Sequence, residues 1–259
     1  MRVIVQREGM DRQVIVVPDA AALAREAAGC ILEQARAAVE SRGRFSLALS
    51  GGSTPGGTYR LLAQEPYRDR LPWDRVHLFW GDERCVPPDD PGSNYHLADQ
   101  ILISQVPIPA ENVHRFQGEL SPEETARAYR RELEDFFCGP VPRLDLVLLG
   151  LGGDGHTASL FPGADALENV TDTVLAVEAN YEGRPAQRVT LTLPAINAAR
   201  QVLFLVSGES KAPIVAQVLG ARTVPGSHAG PLPAERVCPT AGELVWLLDE
   251  AAASGLTEE

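Results

Sequence analysis

Short apolar runs alternate with amphipathic stretches along most of the chain. Residues 3–6 and 14–17 read as an opening pair of strands around a turn at Gly9. Asp19 is placed to cap a helix whose inner face carries Leu23, Ala27, Ile31 and Ala35, and Gly43 is placed to stop it. Residues 45–49 form the next apolar run, followed by a glycine-rich turn and a helix from about Gly56. Residues 76–80 read as a strand that runs into Gly81-Asp82-Glu83-Arg84. The periodicity predicts helices over 95–104 and 121–137. The second opens with Ser121-Pro122-Glu123-Glu124, a capping box with proline at the first helical position. Residues 144–149 are continuously apolar, which suits a strand buried on both faces. Further strands are expected at 174–177, 189–193, 202–206 and 244–248, with a helix over 209–219 between the last two.

This alternation predicts an α/β fold, with a mostly parallel sheet covered by helices on both faces. No repeat, low-complexity block or linker divides the chain, so residues 1–259 are expected to form one domain. Residues 221–238 are a loop rich in proline and glycine, and 251–259 are expected to be a frayed tail.

Composition narrows the function. The net charge of −12 argues against nucleic acid and anionic membranes as partners. It also means that a bound anion needs locally placed cations. Cys30, Cys85, Cys138 and Cys238 are widely spaced with no C-x-x-C, which fits a reducing cytoplasm and no structural zinc. The five histidines form no H-x-x-x-H pair, so no metal is expected. The amino terminus has no apolar signal core, and no stretch is long and apolar enough to span a bilayer.

Three strand exits carry chemistry. In open α/β sheets, ligands bind beyond the carboxyl ends of strands. The run at 144–149 ends in Gly150-Leu151-Gly152-Gly153-Asp154-Gly155-His156. That turn supplies a general-base candidate, His156, an orienting carboxylate, Asp154, and free backbone amides. It also fits G-x-G-x-x-G, with Glu178 near a ribose-binding position. A dinucleotide fingerprint must open a long crossover helix, however, and Pro162-Gly163 breaks the chain about one and a half turns after His156.

The exit at Ser50-Gly51-Gly52-Ser53-Thr54-Pro55 is a strand entering a glycine turn and then a helix. Successive amides at a helix amino terminus form an anion cradle, and Ser53 and Thr54 add hydroxyl donors. The turn nearly matches a nucleotide-binding P-loop from Gly51 to Thr58, but Gly57 stands at the lysine position. A single phosphomonoester is therefore expected there, not a nucleoside triphosphate. At the third exit, Arg84 suits an oxyanion, and Asp82 suits a sugar hydroxyl or the orientation of Arg84. Arg184 and Arg188 flank the entry to the strand at 189–193, and Lys211 follows the glycine turn Ser207-Gly208-Glu209.

These segments resemble one family. SGGSTP at 50–55, WGDERCVP at 80–87, SNY at 93–95, GLGGDGHTASLFPG at 150–163, RVTLTLPAIN at 188–197 and SGESK at 207–211 follow the order seen in 6-phosphogluconolactonases. The resemblance spans nearly the whole chain, and DGHTASLFPG is its most specific part. It implies a doubly wound fold related to glucosamine-6-phosphate isomerases. It implies hydrolysis of 6-phospho-D-glucono-1,5-lactone without metal or cofactor, with a small phosphosugar lactone as the only partner. His156 then resembles the general base, Arg84 a substrate-binding cation, and Arg188 and Lys211 phosphate ligands. The chain departs from the family at Arg184-Pro185-Ala186, where Lys-Pro-Pro is common. The protein is expected to be a monomer or a weak homo-oligomer.

Three rivals make different demands. A sugar-phosphate isomerase or deaminase of this fold has a glutamate soon after DGH, whereas Ser159-Leu160-Phe161-Pro162 offers no acid. A covalent esterase using Ser53 requires a G-x-S-x-G elbow, which is not present. A non-catalytic sugar-phosphate sensor predicts an attached DNA-binding segment and loss of the base.

Overall fold

The computed structural model describes residues 2–7, 10–181, 183–220 and 231–256, the first eleven positions by backbone alone. Strands β1 (Arg2–Arg7) and β2 (Met10–Val17) are antiparallel partners. The expected turn at Gly9 lies outside the described residues, as do 221–230 of the proline- and glycine-rich loop and 257–259 of the tail. Helix α1 (Ala20–Arg42) starts where the Asp19 side chain accepts from the Ala22 amide at 2.7 Å. It ends where Gly43 takes φ 75°, a left-handed position that glycine adopts without steric cost.

Strand β3 (Phe45–Leu49) leads into α2 (Ser53–Leu62), and a short α3 (Tyr67–Arg70) precedes β4 (Val76–Trp80). After β4 come β5 (Asp82–Arg84), α4 (Asn94–Ile101), α5 (Pro122–Phe137) and β6 (Leu146–Leu149). Strands β7 (Val174–Glu178) and β8 (Gln187–Leu191) follow, then α6 (Leu193–Asn197), β9 (Gln201–Val206), α7 (Ala212–Leu219), β10 (Glu243–Asp249) and α8 (Glu250–Ala253).

The main sheet has seven strands in the order β1-β2-β10-β9-β6-β3-β4, and every pairing except β1 with β2 is parallel. The order reverses beside β3. The chain steps outward from β3 to β4, then returns across it to β6 and continues to β9 and β10. A crevice opens at such a reversal, because the two flanking connections leave on opposite faces. The central strands β3, β6 and β9 are buried at every position. Each large aliphatic side chain there contributes about 1.5–3 kcal/mol relative to exposure, so a register slip is strongly disfavoured.

Four expectations are corrected. Residues 174–177 and 189–193 do not extend the main sheet. With β5, they form a separate antiparallel sheet ordered β5-β8-β7. The eight-residue connection from Glu178 to Gln187 is too short for a parallel crossover. Helix α2 begins at Ser53, inside the glycine turn, rather than near Gly56. The stretch 209–219 is divided into a 3-10 turn, Glu209–Lys211, and α7. Residues 251–253 are not frayed, because Asp249 caps α8 by accepting from the Ala252 amide at 2.8 Å.

Candidate active site

The three strand exits meet at the reversal point. Gly51, Gly52, Ser53 and Thr54 line one wall of a cleft of about 210 Å³. Asp82, Arg84, Arg188, His156 and Lys211 line the same cleft. Asp154 stands behind His156 and reaches the cleft only through it. Asn94, Thr157 and Tyr181 are among the further residues that line the cleft without having been singled out from sequence as site members.

The glycine turn is held from behind. The Tyr59 hydroxyl donates to the Ser50 carbonyl at 2.8 Å and accepts from the Ser50 amide at 2.9 Å. Its burial pushes the phenol well above the ordinary value, so it remains a donor. Within α2, the first turn-closing bond runs from the Gly56 amide to the Gly52 carbonyl. Earlier amides of the helix have no intrahelical acceptor, and Ser53 and Thr54, which carry two of them, line the cleft, as an anion cradle requires. Gly52 takes φ 104°, the positive value that favours glycine, whereas Gly51 is required for space. A Cβ there would lie 2.0 Å from Asn94 Oδ1.

Asn94 fixes Asp82. Its amide donates to the Asp82 carbonyl at 2.8 Å and to the Asp82 carboxylate at 3.3 Å. The other Asp82 carboxylate oxygen accepts from Ser159 Oγ at 2.6 Å. Ser159 reaches it because Ala158 adopts φ 49°, an uncommon left-handed conformation for alanine that turns the chain there. Alternation along β5 separates the roles of its three charges. Asp82 and Arg84 face the cleft, while Glu83 is buried on the other side and accepts from the Arg84, Asn94 and Tyr95 amides and from Ser93 Oγ. Burial raises the Glu83 carboxyl above its ordinary pKa, and those donors oppose the rise. Glu83 therefore anchors the start of α4.

Arg84 and Arg188 are cross-strand partners in the β5–β8 pairing. Arg84 donates through Nη1 to the Gly92 carbonyl, and Arg188 donates through Nε to the Pro185 carbonyl at 3.0 Å. Arg84 Nε and Arg188 Nη2 are buried without a protein acceptor. Two neighbouring cations with unused donors suit an anionic ligand, since an unmade hydrogen bond from a buried charged group is costly. Lys211 sits in a 3-10 turn tied to the sheet by Asp249, which accepts from the Gly208 amide at 3.0 Å and from Ser207 Oγ.

His156 is set by its own turn. Nδ1 lies 2.6 Å from Asp154 Oδ1, and the His156 amide donates to the same oxygen at 3.1 Å. The Gly152 amide donates to the His156 carbonyl at 2.8 Å. A side chain at 152 would destroy the pair, because its Cβ would stand 2.0 Å from Nδ1 and 2.7 Å from the carboxylate. With Nδ1 engaged, Nε2 is the nitrogen left for a reacting molecule. Burial lowers the imidazole pKa, and Arg188 lowers it further, against the opposing pull of Asp154 and Asp82. The ring is thus neutral, and a proton acceptor, near pH 7. Among the described residues, no three His, Cys, Asp or Glu side chains cluster as metal ligands, and no helix is long and apolar enough to cross a membrane.

This fold and this cleft define a doubly wound α/β protein with an acid–base pair and a helix amino terminus at a topological switch point. Residues 18–246 match the family of glucosamine-6-phosphate isomerases/6-phosphogluconolactonase, and the chain belongs to that family. It is 43% identical over 252 residues to a 6-phosphogluconolactonase of Nostoc, covering 96% of this chain and all of that relative. The human 6-phosphogluconolactonase is 41% identical over 243 residues, covering 92% of this chain and 88% of the human one. The structure of 6-phosphogluconolactonase from Trypanosoma brucei superposes with a TM-score of 0.82 at 31% identity, covering 94% of this chain and 98% of that one. A monomeric glucosamine-6-phosphate deaminase shares the fold, with a TM-score of 0.77 at 22% identity over 93% of this chain and 99% of the deaminase.

Proposed function

We propose that this chain hydrolyses 6-phospho-D-glucono-1,5-lactone to 6-phospho-D-gluconate, the second step of the oxidative pentose phosphate pathway. The observation that carries the reading is the His156–Asp154 pair at 2.6 Å in a cleft that also holds the α2 amino terminus and two arginines with unused donors. His156 Nε2 takes a proton from water as the water oxygen bonds to C1 of the lactone. Negative charge then develops on the carbonyl oxygen, where Arg84 or glycine-turn amides stabilise it. The bond from C1 to the ring oxygen breaks, and that oxygen receives the proton from His156. The products are a carboxylic acid, which ionises, and a free hydroxyl. Asp154 holds the tautomer that keeps Nε2 unprotonated at the start.

The phosphate is gripped by the Gly51–Thr54 turn, Arg188 and Lys211. Holding that remote group orients C1 for attack. Asp82, held by Asn94 and Ser159, accepts from a sugar hydroxyl. All of these groups come from one chain, which suits a monomer or a weak homo-oligomer. Cys85, Cys138 and Cys238 form no disulfide among the described residues, which suits a reducing cytosol.

The direct test is a coupled assay on freshly generated lactone, corrected for spontaneous hydrolysis, with glucosamine 6-phosphate as the competing substrate. Enzyme-dependent release of 6-phosphogluconate is expected. Turnover of the amino sugar alone would replace the lactonase reading with an isomerase or deaminase.

A further inference from the structure

Two aromatic rings bracket the proposed base. Phe161 stacks on the His156 imidazole, with centroids 4.3 Å apart and planes 29° apart. Tyr181 meets the same imidazole edge-on at 4.7 Å and 77°. The two aromatics lie 5.8 Å from each other. They come from unconnected elements, Phe161 from the loop after β6 and Tyr181 from the hairpin between β7 and β8. Phe161 also lies under the Arg188 guanidinium, 5.5 Å from its central carbon. One ring therefore touches both the base and the cation assigned to the phosphate.

We propose that Phe161 and Tyr181 are positioning residues for His156, fixing the imidazole plane and excluding water from its flanks. This proposal rests on the reading of His156 as the general base. Asp154 anchors the ring at Nδ1 only, and a single hydrogen bond leaves the plane free to swing. A stacked face and an orthogonal edge remove that freedom.

The rings also settle an electrostatic conflict. The charged groups facing His156 are Asp154 from its own turn, Asp82 from β5 and Arg188 from β8, with the Tyr181 phenol at the hairpin. Two carboxylates on their own would favour the imidazolium, which is useless as a base. Arg188 and the loss of water oppose them, and burial is the largest influence. The cage supplies that burial on both sides of the ring, whose side chain is only 14% exposed.

The test uses Phe161→Leu, Tyr181→Ala and Tyr181→Phe. Both positions are half-buried, outside the main core, so these changes leave the sheet intact. Two quantities are measured: the His156 ring titration by NMR and the acid limb of kcat/KM. Phe161→Leu and Tyr181→Ala are expected to move both upward together, by about half a pH unit or more, as water returns to the ring. Part of the activity lost at neutral pH should then return near pH 8. Tyr181→Phe keeps the ring edge and should follow the wild type. An unchanged ring titration in the Leu and Ala variants, with kcat lost uniformly across pH, overturns the cage. Equal shifts in Tyr181→Phe and Tyr181→Ala also overturn it, because the hydroxyl would then be responsible. If the ring titration moves while the acid limb stays in place, the cage stands, and it is His156 as base that fails.

Discussion

At the scale of single residues, the proposed chemistry rests on one imidazole and two glycines. His156→Gln removes the proton acceptor and keeps a side chain of similar reach. Its kcat is expected to fall by at least about a hundredfold, as loss of a general base predicts. Near-normal turnover in a pre-steady-state or coupled assay would take His156 out of the mechanism. The pH dependence has a defined sign. A general base acts in its unprotonated form, and burial, aided by Arg188, holds the His156 pKa below the ordinary imidazole value against Asp154 and Asp82. Activity should therefore be flat through neutrality and fall only as the pH drops through that lowered value, below about pH 6.5. The phosphate's own second ionisation, near pH 6, lies in the same range. The profile should be recorded with the unphosphorylated lactone as well, where only the imidazole limb remains. Gly152 gives a subtler test. The added Cβ of Gly152→Ala collides with both members of the His156–Asp154 pair. The variant should fold normally, yet lose about tenfold or more in kcat as the tautomer and aim of the ring are released.

At the scale of elements, β3, β4 and α5 were legible because each carries its own signal. Residues 45–49 and 76–80 are apolar runs bounded by polar turns, and Ser121 with Glu124 forms the capping box seen in the structure. The three turns that line the cleft were legible for a related reason, since each is an exit from a buried strand that carries glycine and polar groups. What was hidden depends on partners distant in sequence. Strand β5 is three residues long and exists only because β8 lies beside it. Asn94 reads as an ordinary first residue of a helix until Asp82 and Gly51 are brought against it. Tyr181 is a lone aromatic in a polar hairpin, and only the fold sets it on His156. One usable signal lay in the connection between β7 and β8: even the eleven residues between the expected strands at 174–177 and 189–193 are fewer than the dozen or more of a parallel crossover, and the observed eight are fewer still. The turn that carries Lys211 is itself held by a single side chain, Asp249. Burial disfavours its ionisation, but hydrogen bonds from Ser207, Gly208 and Ala252 prevail and hold its pKa below the usual carboxylate range. Such a group stabilises the fold above its unfolded pKa of about 3.9, and that stability is lost as the pH falls through the lower folded value. Asp249→Ala should therefore cost about 0.5–2 kcal/mol in urea titrations at pH 7, the range for a lost helix cap. It should also raise KM for the phosphorylated lactone, because Lys211 loses its support. A KM equal to wild type would mean that the lysine is placed independently of this turn.

At the scale of the whole molecule, the reversal of strand order and the charge distribution answer the same demand. The protein carries a net charge of −12, which repels an anionic substrate at long range. The cleft reverses that field locally, with Arg84 and Arg188 on the second sheet, Lys211 beyond β9, and the α2 amino terminus at the end of β3. No histidine or cysteine pair has ligand spacing. Activity should accordingly persist in EDTA, and loss restored by a divalent ion would contradict the metal-free mechanism. The cation placement makes a sharper prediction. If Arg188 and Lys211 hold the phosphate, Arg188→Ala and Lys211→Ala should each weaken 6-phosphogluconate binding by about 1.5–3 kcal/mol, the range for hydrogen bonds to charged groups. The two should fail differently. Lys211 faces the cleft from a surface turn, so its loss should leave thermal stability unchanged. Arg188 is 2% exposed and lies beside Phe161, so its removal should also lower the melting temperature and raise the His156 pKa, because a repelling cation is gone. On the unphosphorylated lactone, which is expected to be a poor substrate, Lys211→Ala should turn over like wild type, since the contact it removes was never made. The deciding measurement is kcat/KM for both lactones on wild type and both variants. Equal losses of Lys211→Ala on the two substrates would move the lysine from the phosphate to the sugar ring, and the anion would then belong to the arginine pair and the glycine turn.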